Sequence, residues 1–106
     1  GESSETVRER VVRARNLQKH RNDPAGTILN ANLSGKKIEQ FCRIDAESQK
    51  MLIAAARRFT LSARGYDKVL LIARTIADLD ESESIAATHL AEALQYRTNG
   101  LFDHLS

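Results

Sequence analysis

The 106-residue chain has 42% hydrophobic and 28% charged residues, which is ordinary for a globular domain with one small core. No apolar run approaches the ~20 residues of a membrane span, so we expect no membrane association. The single Cys42 excludes an internal disulfide and suits a reducing, cytoplasmic location. The chain does not begin with Met, and we expect it to be a piece of a longer protein.

The formal net charge of +2 is divided unevenly along the chain. Residues 1–43 carry nine Lys or Arg against five Asp or Glu, whereas residues 44–106 carry seven against nine. The excess of positive charge therefore gives one basic helix near the start of the chain. It does not make the whole chain a basic protein.

The first predicted helix runs from about residue 4 to 20. Apolar residues recur in it at spacings of four, three and three, as in a helix that packs along one face: Val7, Val11, Ala14 and Leu17. A loop over 22–26 is rich in turn-forming residues, and residues 27–33 are predicted to be irregular.

A short second helix is predicted over about 35–43, with Ser34 as its N-cap. Its inward-facing residues are Ile38, Phe41 and Cys42. Asp45 can cap a third helix that extends to about Arg58. The apolar face of this third helix consists of Met51, Leu52, Ala55 and Phe59.

The fourth predicted helix runs from Ala63 to about Leu79 and is strongly patterned. The residues expected to be buried in it are Tyr66, Val69, Leu70, Ala73, Ile76 and Ala77. An acidic turn over 80–84 leads into a fifth helix from about Ala87 to Arg97, whose inward residues are Leu90, Ala93 and Leu94. No segment has the alternation of a strand, so the sequence predicts an all-α bundle of about five helices.

The start of the fourth helix is the most informative part of the sequence. Ser62 is a good N-cap, and Leu61 before it can pack on Tyr66 as a hydrophobic staple. Arg64 is then the second helical residue, where the helix dipole disfavours a cation by about 0.3–1 kcal/mol. The guanidinium of Arg64, the free amides from Ala63 onward and the dipole together predict an anion site, with phosphate as its natural occupant.

Two plainer interpretations compete with binding roles. In the first, Arg64 is an exposed arginine that pairs with Glu47 or Asp67. The basic residues of the first helix resemble a nucleic-acid stripe, but four of the six spread around the helix and Glu5 and Glu9 interrupt them, so a solvated face is the preferred interpretation. These basic residues are Arg8, Arg10, Arg13, Arg15, Lys19 and Arg21.

Other chemistry-bearing residues do not form a recognisable site. The three histidines, His20, His89 and His104, lack the spacing of metal ligands, and we expect no metal site. Cys42 is expected to pack as a small hydrophobic residue. No glycine-rich phosphate loop or nucleophile–base set is present, so the chain alone is not a complete enzyme.

Four stretches of the sequence match a known family in the expected order. They are LSARGYDKVL at 61–70, ARTIADL at 73–79, NANL at 30–33 and HLAEALQYR at 89–97. Together they resemble the C-terminal domain of magnesium-chelatase-like AAA+ ATPases, and most of all the bacterial ComM/YifB branch. Gly65 departs from the Ala expected in the first motif, which weakens the match only slightly.

The resemblance implies a nucleotide-sensing role. In such ATPases, ATP and Mg lie between an α/β domain with Walker motifs and a small helical lid. The lid contributes a "sensor 2" arginine to the γ-phosphate, and Arg64 falls at that position, with Ser62 and Ala63 beside it. The implied partners are the N-terminal ATPase domain of the same chain and the other subunits of a homohexamer. Without the α/β domain, we expect no cofactor binding and no ATP hydrolysis by this chain alone.

The resemblance also suggests boundaries and a wider role. We expect residues 1–98 to form the lid domain, Gly100 to stop the last helix and 99–106 to form a flexible tail. The ComM branch is associated with DNA branch migration during natural transformation and recombination. The alternatives are the lid of a true magnesium chelatase ATPase subunit and a free-standing helical module that binds a partner or nucleic acid.

Overall fold

Five α-helices lie within the described residues, in agreement with the sequence prediction. The computed structural model describes residues 3–23, 25, 26 and 28–98, and no strand occurs among them. The helices are α1 (Ser4–Asn22), α2 (Lys36–Phe41), α3 (Ala46–Arg58), α4 (Ala63–Leu79) and α5 (Ala87–Thr98). A 3-10 turn at Asn30–Asn32 lies in the segment predicted to be irregular. The expected tail over 99–106, with Gly100, lies outside the described residues.

Side-chain caps fix the starts of α1, α3 and α4. The Ser3 hydroxyl accepts the Thr6 amide at 3.1 Å, and the Asp45 carboxylate accepts the Ser48 amide at 2.7 Å. Each oxygen satisfies one of the amides that a first helical turn leaves without a partner. The cap predicted at Asp45 is confirmed. No described helix is long and apolar enough to cross a membrane.

The predicted cap of α2 is wrong. Gly35, and not Ser34, precedes the first helical residue, and no side chain caps this helix. Gly35 has φ +55° and ψ −128°, a combination that residues with a Cβ rarely adopt. The chain therefore enters α2 through a glycine-dependent turn, which has no signature in the pattern of capping residues.

Helix α4 lies at the centre of the bundle and contacts α1, α2, α5 and the 3-10 turn. Its Val69, Ala73 and Ala77 are fully buried. Around them pack the buried side chains of the other elements: Leu33, Ile38, Cys42, Leu52, Ile85, Leu90 and Ala93. The expectation that Cys42 packs as a small hydrophobic residue is confirmed. Because the core surrounds α4, both ends of this helix hold fixed positions in the fold.

Helix α1 does not pack through the predicted apolar stripe. Only Ala14 of that stripe is buried, whereas Val7 and Leu17 are 44% and 43% exposed. The helix is instead fastened through polar residues near its C-terminal end, where Gln18 and Asn22 are buried. Hydrogen bonds replace apolar burial at this contact. The spacing of apolar residues therefore predicted the wrong face of α1 to pack against the bundle.

The end of α3 also differs from expectation. Phe59 was predicted on the apolar face, but it is 39% exposed, and the guanidinium of Arg58 lies 5.6 Å from its ring centroid. The backbone closes the helix by turning into the left-handed region at Thr60, with φ +54°. The Leu61 amide then donates to the Ala56 carbonyl at 2.9 Å. This closing turn sets the direction in which the chain enters α4.

Candidate functional site

The N-terminus of α4 has the geometry that the sequence predicts. The Ser62 hydroxyl accepts the Gly65 amide at 3.1 Å, and the Ser62 carbonyl accepts the Tyr66 amide at 2.9 Å. Among the described residues, the amides of Ala63 and Arg64 have no acceptor. Two backbone donors and the positive end of the helix dipole are therefore available to an anion at this point.

Arg64 is exposed on the first turn of α4. Within the part of the chain that the structure describes, it forms no ion pair or hydrogen bond. The alternative pairing with Glu47 or Asp67 is absent there, and Glu47 instead lies 3.9 Å from the Lys50 ammonium. The Arg64 guanidinium, whose fork of donors matches phosphate oxygens, is thus free to bind a group outside this domain.

Glycine at position 65 is compatible with the same helix start. A Cβ built on Gly65 would lie 3.5 Å from the Ser62 hydroxyl and 3.6 Å from Cδ2 of Leu61. These are ordinary contact distances, so alanine would fit there as well. The departure from the family pattern at Gly65 therefore leaves the position of Arg64 unchanged.

The C-terminal half of α4 carries a buried charge network that the sequence reasoning missed. Asp78 is 1% exposed, and its two carboxylate oxygens accept hydrogen bonds from Arg21, Arg74 and Asn30. The distances from donor to acceptor lie between 2.8 and 3.1 Å. Two of the stretches that carry the family resemblance, 30–33 and 73–79, meet at this carboxylate. One signal was present in the sequence, since Arg74 and Asp78 stand four residues apart on one helix.

Acceptors within the protein bind the N–H donors of the Arg74 guanidinium. Its two Nη atoms donate to the Glu83 and Ser82 carbonyls at 3.0 and 2.8 Å, and its Nε donates to Asp78 at 3.1 Å. Burial lowers the pKa of Arg74, while the Asp78 carboxylate beside it acts in the opposite direction. An open cavity of about 390 Å³ lies next to the network. Because Arg74 uses its donors internally, we assign the network to stability and not to ligand binding.

His89 holds the start of α5. It is 6% exposed, its Nδ1 accepts the Ala86 amide at 2.8 Å, and its Nε2 lies 3.1 Å from an Asp80 carboxylate oxygen. Since Nδ1 accepts, the ring proton of the neutral imidazole belongs on Nε2, from which it can donate to Asp80. His89, the third residue of α5, thus binds the amide of the residue before the helix, as the N3 side chain of a capping box does. Among the described residues, no three His, Cys, Asp or Glu side chains converge as metal ligands would.

Comparison with known proteins places this geometry in a family. The chain matches the family described as magnesium chelatase, subunit ChlI C-terminal, over residues 1–97. It is 42% identical over 97 residues to the YifB protein of Escherichia coli K12 and 43% identical over 97 residues to competence protein ComM of Haemophilus influenzae. An uncharacterized protein of Mycobacterium bovis is 36% identical over 100 residues.

These matches cover nearly all of this chain but a small part of each relative. They include 92% of the chain for YifB and ComM and 94% for the mycobacterial protein. The corresponding shares of the relatives are 18%, 18% and 20%, so the chain spans about one fifth of their length. The all-helical fold, the matched residues and these relatives agree, and the chain belongs to the magnesium chelatase ChlI C-terminal family, with ComM and YifB among its homologues.

Proposed function

We propose that this chain is the nucleotide-sensing helical lid of a magnesium-chelatase-like AAA+ ATPase. In this proposal Arg64 contacts the γ-phosphate of an ATP–Mg²⁺ complex that the N-terminal ATPase domain of the same parent chain holds. The observation that carries the proposal is the exposed Arg64 beside the free amides of a capped helix start. The family membership supports it, because the resemblance implies a sensor 2 arginine in the lid and Arg64 matches that motif position in this sequence.

The chemistry of the proposed contact follows from charge. The γ-phosphate of ATP carries up to two negative charges, and in the transition state of phosphoryl transfer the charge is spread over its three equatorial oxygens. A guanidinium donates two parallel hydrogen bonds to such oxygens, and these are stronger than bonds between neutral groups. The domain also has a reason to keep Arg64 at an unfavourable helix position, since the cation becomes favourable once the phosphate is bound.

The wider role concerns the parent protein. We propose that the parent is a homohexameric, DNA-processing motor of the ComM type, which acts in branch migration during natural transformation. The name of the Haemophilus influenzae relative, competence protein ComM, supports this assignment. The lid would then report the nucleotide state of each subunit to its neighbours. Detecting Walker motifs upstream in the full-length sequence is the simplest first test.

The decisive experiment measures ATP turnover and nucleotide-dependent assembly of the full-length parent with Arg64→Ala. We expect a loss of at least tenfold in one or both, since a charge-assisted contact to the transition state is removed. Arg64→Lys should rescue poorly, because lysine lacks the planar fork. Arg57→Ala is the matched control, since Arg57 is also an exposed arginine but lies in the last turn of α3. It should retain wild-type turnover.

A second measurement separates a sensing role from a structural one. In the 106-residue chain, Arg64→Ala should change the unfolding free energy by less than about 0.5 kcal/mol, or raise it slightly, because an unfavourable dipole contact disappears. If the domain unfolds, Arg64 is structural. If the full-length variant keeps wild-type turnover and assembly, Arg64 is not the sensor.

A further inference from the structure

The structure divides the six basic residues of α1 into two groups. Arg21 donates to Asp78 at 2.8 Å, Arg13 donates to Glu81 at 3.0 Å, and Arg10 is half-buried and has an interaction partner. The other three are exposed and form no ion pair or hydrogen bond with any described residue. We call Arg8, Arg15 and Lys19 the α1 basic stripe.

The three stripe residues share one side of the helix. At 3.6 residues per turn, their spacings of seven and four place them within about 40° of one another. At 1.5 Å per residue they extend along about 16.5 Å. Glu5 and Glu9 project about 60° and 100° away from the centre of the stripe. The other basic residues, Arg10, Arg13 and Arg21, lie on the opposite side of the helix and interact within the domain.

The shape and chemistry of the stripe favour one kind of partner. A stable protein interface buries about 800 Å² on each side around an apolar centre. The stripe offers only one apolar side chain between its charges, Val12, which is 50% exposed. A row of unpaired cations with little apolar surface instead fits a linear polyanion whose charges repeat along its length. Duplex DNA carries one negative charge per about 1.7 Å of axis, so 16.5 Å of stripe faces several phosphates.

We propose that the α1 basic stripe binds the phosphate backbone of nucleic acid without reading its bases. No aromatic or amide side chain lies within the stripe to contact base edges. With three cations, the binding is weak and strongly dependent on salt. This proposal rests on the DNA-processing part of the proposed function for its biological meaning, but its physical basis is separate from Arg64.

The test uses the 106-residue chain and a fluorescently labelled DNA duplex of about 20 base pairs, with anisotropy measured across salt concentrations. Three phosphate contacts predict a slope of log K against log salt of about −2.7. The combined variant Arg8→Gln, Arg15→Gln, Lys19→Gln should lose at least about tenfold in affinity at low salt, with a slope near zero. Circular dichroism checks that each variant is folded.

A charge-matched control distinguishes the stripe from net charge. Lys50→Gln, Arg57→Gln, Arg58→Gln removes three exposed cations from α3 and should leave the affinity within about twofold. Equal losses in the two variants would overturn the proposal, as would unchanged binding by the stripe variant. If the chain binds poly-glutamate as tightly as DNA, the partner of the stripe is an acidic protein and not nucleic acid. The assay contains no ATP and no ATPase domain, so its result is independent of the test of Arg64.

Discussion

Arg21 and Asp78, 57 positions apart in the chain, form a two-pronged contact in which Nη1 lies 2.8 Å from Oδ1 and Nη2 lies 3.0 Å from Oδ2. Asn30 completes the arrangement by accepting from Arg21 and donating to Asp78, both at 2.8 Å. One carboxylate thereby joins α1, the 3-10 turn and α4. This contact explains how α1 is held although its apolar residues are largely exposed.

The first prediction concerns this carboxylate. Asp78→Ala leaves the buried Arg74 and the partly buried Arg21 without their shared acceptor, and we expect a loss of about 3–5 kcal/mol in unfolding free energy. Urea denaturation of the 106-residue chain measures it. Glu81→Ala is the control, because it breaks the exposed Arg13–Glu81 pair and should cost less than about 1 kcal/mol. A similar small cost for both variants would contradict the importance assigned to the network.

The second prediction concerns the pH dependence of stability at the start of α3. The hydrogen bond from the Ser48 amide lowers the pKa of Asp45. An acid whose pKa is lowered on folding stabilises the domain above its unfolded pKa, about 3.9, and loses that contribution as the pH falls. Asp45→Asn keeps a capping oxygen but does not titrate. Unfolding free energies should therefore fall less steeply below pH 4 in Asp45→Asn than in the wild type, and parallel curves would count against this role.

Thiol reactivity provides the third prediction. Burial raises the pKa of Cys42 from 9.0 to about 11, so at pH 8 only about one thiol in a thousand is ionised. The thiol of the unfolded chain ionises at a lower pH than the buried thiol. The free energy of unfolding therefore falls as the pH rises from about 9 to 11. Iodoacetamide should modify the folded chain at least about a hundredfold more slowly than the chain in urea. Equal rates would place Cys42 on an accessible surface.

The fourth prediction uses the backbone at the end of α3. Thr60 has φ +54°, a conformation that costs a residue with a Cβ about 1–2 kcal/mol. Glycine adopts it without strain but loses about 0.5–1 kcal/mol through its freedom in the unfolded chain. Thr60→Gly should therefore raise the unfolding free energy by roughly 0.5–1 kcal/mol. Thermal melting tests this, and a decrease would mean that the Thr60 side chain stabilises the turn.

The local features of the fold were predictable from sequence. Periodicity and capping chemistry placed α4 from Ala63 to Leu79, and the predicted Ser62 cap is present at 3.1 Å. These inferences succeeded because each depends on neighbours within one or two turns.

The features that sequence reasoning missed depend on distant partners. Arg74 and Asp78 interrupt the apolar pattern of α4 and would be assigned to a solvated face, but Arg21 and Asn30 compensate them after folding. Likewise, Val7 and Leu17 follow the helical period although polar contacts hold α1. Hydrophobic periodicity cannot identify a buried charge when its partner lies 57 positions away.

The position of this network on α4 has a mechanical consequence. Arg64 and Asp78 are 14 residues apart on one continuous helix, which corresponds to about 21 Å. The end near Asp78 is pinned by charge to the rest of the bundle, whereas the end at Arg64 projects to the surface. Because core residues hold α4 between these two ends, the helix is a rigid connection between the surface at Arg64 and the contact with Arg21. A force on Arg64 would therefore be transmitted along the helix axis to α1 and the 3-10 turn, which meet at Asp78.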